Sequence, residues 1–241
     1  MGIWNRSSSS SKDEPEERPE VQWYSPKVLG PTFVLTSGFI GGFYVYRAYL
    51  RRVPNTLKIP DYFFRKRTML GKVVSVGDAD NFHFYHTPGG ILGGWGWLRH
   101  APETNQRGLS GETIHVRLCG VDAPEASHFG KPAQPYSAEA LEWLRGFVLG
   151  KRVRLMPLAR DQYQRTVGDA TIRTFWGRKN VSAEMLKNGW AVVYESKVGS
   201  EFNGKEALFR KLEAESRRKR IGIFQKGGKF ESPGEYKRRT R

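Results

Sequence analysis

A single cysteine, Cys119, stands in 241 residues, which excludes an intramolecular disulfide framework and any zinc site built on cysteines. Acidic side chains are also scarce. Asp and Glu number 24 against 40 Lys and Arg, giving a formal net charge of +16 and a pI near 10.1. That imbalance sets up a positive field and favours polyanionic partners, nucleic acid first and an anionic membrane second. Internal repeats are absent, and no Gly-Lys-Ser/Thr follows the glycine-rich stretch, so there is no Walker-type phosphate loop. His83 and His86 are three apart and on a strand would face opposite sides, which prevents them from sharing a metal. The chain does have apolar residues (38%) and seven Trp, enough burial to offset the ordering entropy of one domain with appendages, or of two small ones.

Composition divides the chain. Residues 1–27 carry a serine run, Ser7 to Ser11, and then Asp13, Glu14, Glu16 and Glu17, too polar for a core and expected to be disordered. Four basic residues against five acidic ones in this segment disfavour a cleaved presequence. Residues 28–46 are nineteen uncharged positions, about 28 Å as a helix, and predict a single transmembrane helix rather than a core helix or signal peptide. Trp23, Tyr24, Tyr44, Tyr46 and Tyr49 bracket it as interfacial anchors. The downstream excess of Arg and Lys would keep the C-terminal part on the cytosolic or matrix-like side. A basic connector over 47–68, a folded domain over 69–225 and a basic tail over 226–241 complete the expected organisation.

From Met69 the pattern is one of short strands. LGKVVSV and FHFYH read as a hairpin, and in TIHVRLC the apolar Ile114, Val116 and Leu118 alternate with His115, Arg117 and Cys119. Residues 88–111 form a glycine-rich insertion, a functional loop or decoration. Leu141, Leu144 and Val148 recur at helical spacing after Ser137, and shorter helical patterns occupy SAEMLKN and about 204–220. KRVRLMPL and DATIRTF supply further strands. Such a mixture, mainly β, suits a small closed barrel better than a parallel doubly wound sheet.

The residues with chemical potential lie beside these strands. Asp78 and Asp80 follow the first strand, Asp122 and Glu125 come five to eight positions after Arg117, and Arg165 sits in DQYQR. Hard oxygen ligands, a base for water and fixed positive charge are what metal-assisted phosphodiester hydrolysis requires. Asp-Ala-Pro-Glu could equally cap a helix, and Asp161 with Arg165 could be an ordinary surface pair.

In order, VVSVGDADNF, HVRLCGVDAPE, SAEALEWLRGFV, DQYQR, SAEMLKNGWAVVY and a terminal GIF resemble the staphylococcal-type thermonucleases. The insertion and the N-terminal span are more particularly similar to the fungal membrane-anchored endonucleases named for long chronological lifespan. The resemblance implies an α+β fold: a five-stranded OB-type barrel with three helices, after one membrane helix. It also implies an endonuclease of little sequence preference that leaves 3′-phosphates on DNA or RNA, and a mitochondrial location. Residue by residue it makes Asp80, Asp122 and the carbonyl of Ala123 ligands of Ca²⁺, Glu125 the general base, and Arg117 and Arg165 the phosphate clamps. Ala79 and Gln164 depart from the family pattern. The alternative is a catalytically silent nucleic-acid-binding module on the same barrel, or a scaffold on anionic lipid. A binding-only derivative has no reason to keep all five charged positions together.

Overall fold

The computed structural model describes residues 24–127, 132–194, 201–225 and 231–239, so most of the polar N-terminus lies outside it. The chain forms two compact units, residues 1–47 and 48–241. In the first, helix α1 (Pro26–Val45) starts on a proline, whose fixed φ and missing N–H suit the first turn. It continues through a π-turn, Tyr46–Leu50. The helix is largely apolar, with Lys27 in its first turn as its one charged side chain, and buries none of its residues, with Phe33, Leu35 and Phe39 about three-quarters exposed. By length and composition Pro26–Leu50 can cross a membrane.

The second unit is built on strands β1 (Met69–Asp78), β2 (Asn81–His86), β3 (Ile114–Leu118), β4 (Val121–Asp122), β5 (Arg152–Arg160), β6 (Thr166–Thr174), β7 (Gly177–Asn180) and β8 (Val192–Val193). The order β3-β2-β1-β5-β6 closes on itself where β3 pairs with β6 in parallel, Val116 opposite Thr166 and Arg117 opposite Val167. This is the expected five-stranded barrel of OB type, with β7 added as a hairpin on β6 and β4–β8 as a separate ribbon. Closure removes the free edges that an open sheet would expose.

Period-two patterning explains the interior. Ile114, Val116 and Leu118 are buried while His115 and Arg117 stay partly exposed on the other face. Strand β1 shifts register twice, between Val73 and Ser75 and again before Asp78, so that both Val73 and Val74 are buried. At Gly71 an added Cβ would lie 2.4 Å from the ring of Phe84, which is why no side chain stands there. Helices α2 (Ser137–Val148), α3 (Val181–Lys187) and α4 (Glu206–Lys219) cover the barrel, burying Leu144, Met185, Leu186 and Phe209 in the same core. They are the three expected helices of the domain.

Two stretches differ from their sequence reading. The 47–68 segment, expected as a connector outside the barrel, is packed on it from Val53 onward. Val53 and Ile59 belong to the core, Thr56 accepts a hydrogen bond from Thr166, and Arg160 donates to the carbonyl of Ile59 at 2.6 Å. The cause is two short 3-10 turns, Thr56–Lys58 and Asp61–Phe63, which leave too few residues for any periodicity to show. The 226–241 tail holds a further helix, α5 (Pro233–Arg239), opened by Ser232 and Glu235 in a reciprocal capping box.

Candidate active site

The charged residues gather at the closing seam of the barrel. Arg117 lies on β3 opposite Asn81 of β2 on one side and Val167 of β6 on the other. Its Nη2 stands 3.4 Å from Asp80 Oδ2 and 3.4 Å from Asp122 Oδ1, and its guanidinium lies 4.9 Å from the ring centre of Tyr194. Burial works against the charge of Arg117, but the two carboxylates outweigh it and the guanidinium holds its proton more tightly than usual. Asp80 comes from the β1–β2 turn, where its backbone carbonyl accepts from Leu118 N–H at 2.9 Å. Asp122 comes from β4, delivered by the turn at Gly120. That glycine has φ of 69°, and an added Cβ would meet Phe202 and Phe209.

Arg165 arrives from the β5–β6 turn, one residue before the seam pair Thr166–Val116. Its Nε–H donates to Asp161 Oδ2 at 2.7 Å, and its backbone N–H to Asp161 Oδ1 at 2.8 Å. Burial alone would raise the Asp161 carboxyl. Hydrogen bonds from Arg165 and Tyr163 hold it below the ordinary carboxylate range. The pair is therefore an orienting device as well as an ion pair, since Asp161 engages the Nε edge and leaves the terminal nitrogens of Arg165 for another partner. Gln164 takes a positive φ of 59° in this turn, a conformation a glycine would adopt without strain.

Glu125 lies on the loop after β4. Its backbone N–H donates to Gln134 Oε1 and its carbonyl accepts from Gln134 N–H, both at 2.9 Å. Gln134 is buried and donates its amide to the carbonyl of Glu231, while Tyr236 of α5 donates to Pro132 O. The C-terminal helix thus braces the stretch that carries Glu125. Sequence reasoning missed Gln134, Tyr194 and this brace, because the partners are 97 and 104 positions apart for the C-terminal contacts.

Next to the seam, His83 and His115 stack at 4.6 Å, and His115 Nε2 meets Asn81 Oδ1 at 3.2 Å. Burial, with His83 and Arg165 nearby, pushes His115 down to about 4, so it is a neutral ring at ordinary pH. Asn81 donates to both Asp78 and Asp80. Cys119 is no nucleophile: it is buried, and desolvation pushes its thiol up to about 12.

Among the described residues no three His, Cys, Asp or Glu side chains are grouped to hold a metal. The donors available are the carboxylates of Asp80 and Asp122, with the carbonyl of Ala123 next in sequence. Two carboxylates against the one guanidinium of Arg117 leave a net charge of minus one in a mostly buried setting. An all-oxygen set of this kind fits a hard divalent cation that retains water, and does not fit zinc or copper.

Residues 115–226 match the family described as staphylococcal nuclease homologue. Over longer stretches the chain is similar to proteins called "Probable endonuclease LCL3". That of Yarrowia lipolytica is 58% identical over 212 residues, 88% of this chain and 94% of the relative. The Komagataella phaffii protein is 50% identical over 92% of this chain and 98% of its own length. The Pyricularia oryzae protein is 48% identical over 98% and 89% respectively. With that kinship running through the whole barrel and most of the residues before it, the chain belongs to the family of staphylococcal nuclease homologues.

Proposed function

We propose that this protein is a membrane-anchored nuclease that hydrolyses phosphodiester bonds of DNA or RNA with Ca²⁺ and leaves 3′-phosphates. The observation that carries the reading is the convergence of Asp80 and Asp122 on Arg117 at the barrel seam, one strand position from the turn that presents Arg165. Asp80, Asp122 and the carbonyl of Ala123 would hold the cation, which when bound supplies positive charge to a phosphoryl oxygen. Glu125 takes a proton from the attacking water. The water oxygen forms its bond to phosphorus as the bond to the 5′ oxygen breaks, and that oxygen leaves with a proton from solvent. Arg117 and Arg165 donate to the non-bridging oxygens, whose negative charge grows at the pentacoordinate phosphorus. Planar forks suit this better than ammonium groups because each reaches two oxygens at once.

The apolar helix supports a single-pass anchor, and the family resemblance points to a mitochondrial membrane. The test is cleavage of supercoiled plasmid and of a labelled RNA by the full-length protein in detergent, with Ca²⁺ or with excess chelator. Cutting in Ca²⁺ with 3′-phosphate ends, abolished by chelator, is the expected result. Tight binding of both substrates with no cutting in any divalent cation would replace this reading with that of a silent binding module.

A further inference from the structure

A cavity of about 520 Å³ opens away from the seam, lined by Tyr49, Arg51, Lys66, Arg67, Pro88 and Arg154 among others. Four of its residues are cationic and none is acidic. Arg51 and Lys66 are exposed, and among the described residues none of the four forms an ion pair. Arg67 is held in place, its guanidinium 4.7 Å from the ring centre of Tyr49 and its Nη1 donating to Ala48 O, and Arg154 donates to Thr68. Uncompensated cations gathered around one concavity cost electrostatic energy unless an anion is shared among them.

The rim of the cavity continues into the glycine-rich insertion. Its base is fixed: Gly89 packs against the Leu50 side chain, Arg99 donates to Leu50 O, and Trp95 is buried between Arg99 and Tyr85. Its tip is the reverse. Leu92 is 97% exposed, Trp97 67%, and Ile91 and Leu98 are comparable. Apolar side chains next to unpaired cations match a lipid–water interface, where the former meet acyl chains and the latter meet phosphate. A nucleic-acid track would call for several stacking rings, whereas this tip exposes one, Trp97, beside the aliphatic Ile91, Leu92 and Leu98. Chain connectivity adds a further argument: only three residues lie between Leu50 and the end of the uncharged run at Tyr46, at most about 14 Å of chain.

We propose that this cavity binds the phosphate of an anionic phospholipid headgroup while the Ile91–Leu98 tip inserts beside it, giving the nuclease domain a membrane contact in addition to the anchor. This rests on the membrane-anchored reading above, and the experiment separates the two. Full-length protein carrying Leu92→Cys is labelled with a polarity-sensitive fluorophore; Cys119, buried with its thiol pushed up, stays unlabelled. It is reconstituted in phosphatidylcholine vesicles with or without phosphatidylserine. Flotation reports the span, and quenching by a bilayer-borne quencher reports the tip. The expected result is blue-shifted, quenched emission in phosphatidylserine vesicles that free inorganic phosphate does not reverse. Arg51→Glu with Lys66→Glu, both at exposed positions, should cut the quenched fraction roughly tenfold while flotation stays intact. Protein that floats with its label in water overturns the proposal and leaves the anchor standing. Protein that fails to float with phosphatidylcholine vesicles but floats and is quenched with phosphatidylserine vesicles keeps the pocket and discards the anchor. A label shifted by oligonucleotide or free phosphate and not by vesicles overturns the lipid assignment.

Discussion

At the scale of single residues, the proposed mechanism divides the roles between groups that would face the phosphate and groups that aim them. If Glu125 is the base, Glu125→Gln removes it while keeping shape, so turnover should fall by roughly two to four orders of magnitude with oligonucleotide affinity retained. Wild-type turnover in that variant, measured beside filter binding, would remove Glu125 from the mechanism. On the same reading Asp161 would position Arg165, which it touches through Nε and the backbone. Asp161→Asn should lower kcat by up to about 100-fold with KM little changed, and Arg165→Lys should lose rate without rescue by the retained charge. A loss confined to KM would mean that Asp161 serves binding only. His86 belongs to the fold. Its Nδ1 accepts from Val53 N–H at 3.0 Å, and burial, aided by Arg52 and Arg99, pushes it down to about 4 from 6.5. The unfolded chain therefore binds the proton first, so stability is fully present above about pH 6.5 and drains away as pH falls toward 4. His86→Gln should shrink the stability lost between about pH 7 and pH 4.5 by on the order of 2 kcal/mol, measured by denaturant titration at both pH values. An unchanged difference would place the pH sensitivity elsewhere.

At the scale of elements, legibility followed the range of the interaction. Strand β3 was readable because alternation at Ile114, Val116 and Leu118 is local and the barrel buries one face of it. Helix α2 was readable from Leu144 and Val148, both fully buried. The charged positions Asp80, Arg117, Asp122, Glu125 and Arg165 could be picked out as residue types, but not their arrangement, since Arg117 and Arg165 reach the same seam through a parallel pairing that no spacing encodes. The core role of Val53 and Ile59 was hidden because each is a lone apolar residue in a polar, turn-forming segment. That last point has a practical outcome. Protein beginning at residue 60 loses both side chains and should be destabilised by roughly 3–6 kcal/mol relative to one beginning at residue 48. Equal urea midpoints for the two would show that the segment contributes nothing to the core.

At the scale of the whole molecule, a +16 chain couples a helix whose one charged side chain is Lys27 to a barrel whose core, among the described residues, is assembled from Val53 onward. The helix buries no residue, so in water its apolar surface would be a liability, and in a bilayer it is satisfied. Alkaline carbonate extraction of membranes bearing the full-length protein should leave it in the pellet, and a chain lacking residues 1–47 should move to the supernatant. Release of the full-length protein would argue that α1 packs in an aqueous setting.

The seam between β3 and β6 joins positions fifty apart in sequence, Val116 with Thr166. Pairings of such separation are entropically expensive to close and form late in folding. Arg117 and Arg165 are brought to the same seam only by that closure, so a chain still emerging from synthesis has its carboxylates and its arginines but not the arrangement proposed for hydrolysis. On the proposed reading, hydrolysis therefore waits on closure of the barrel and not merely on synthesis of the residues that perform it.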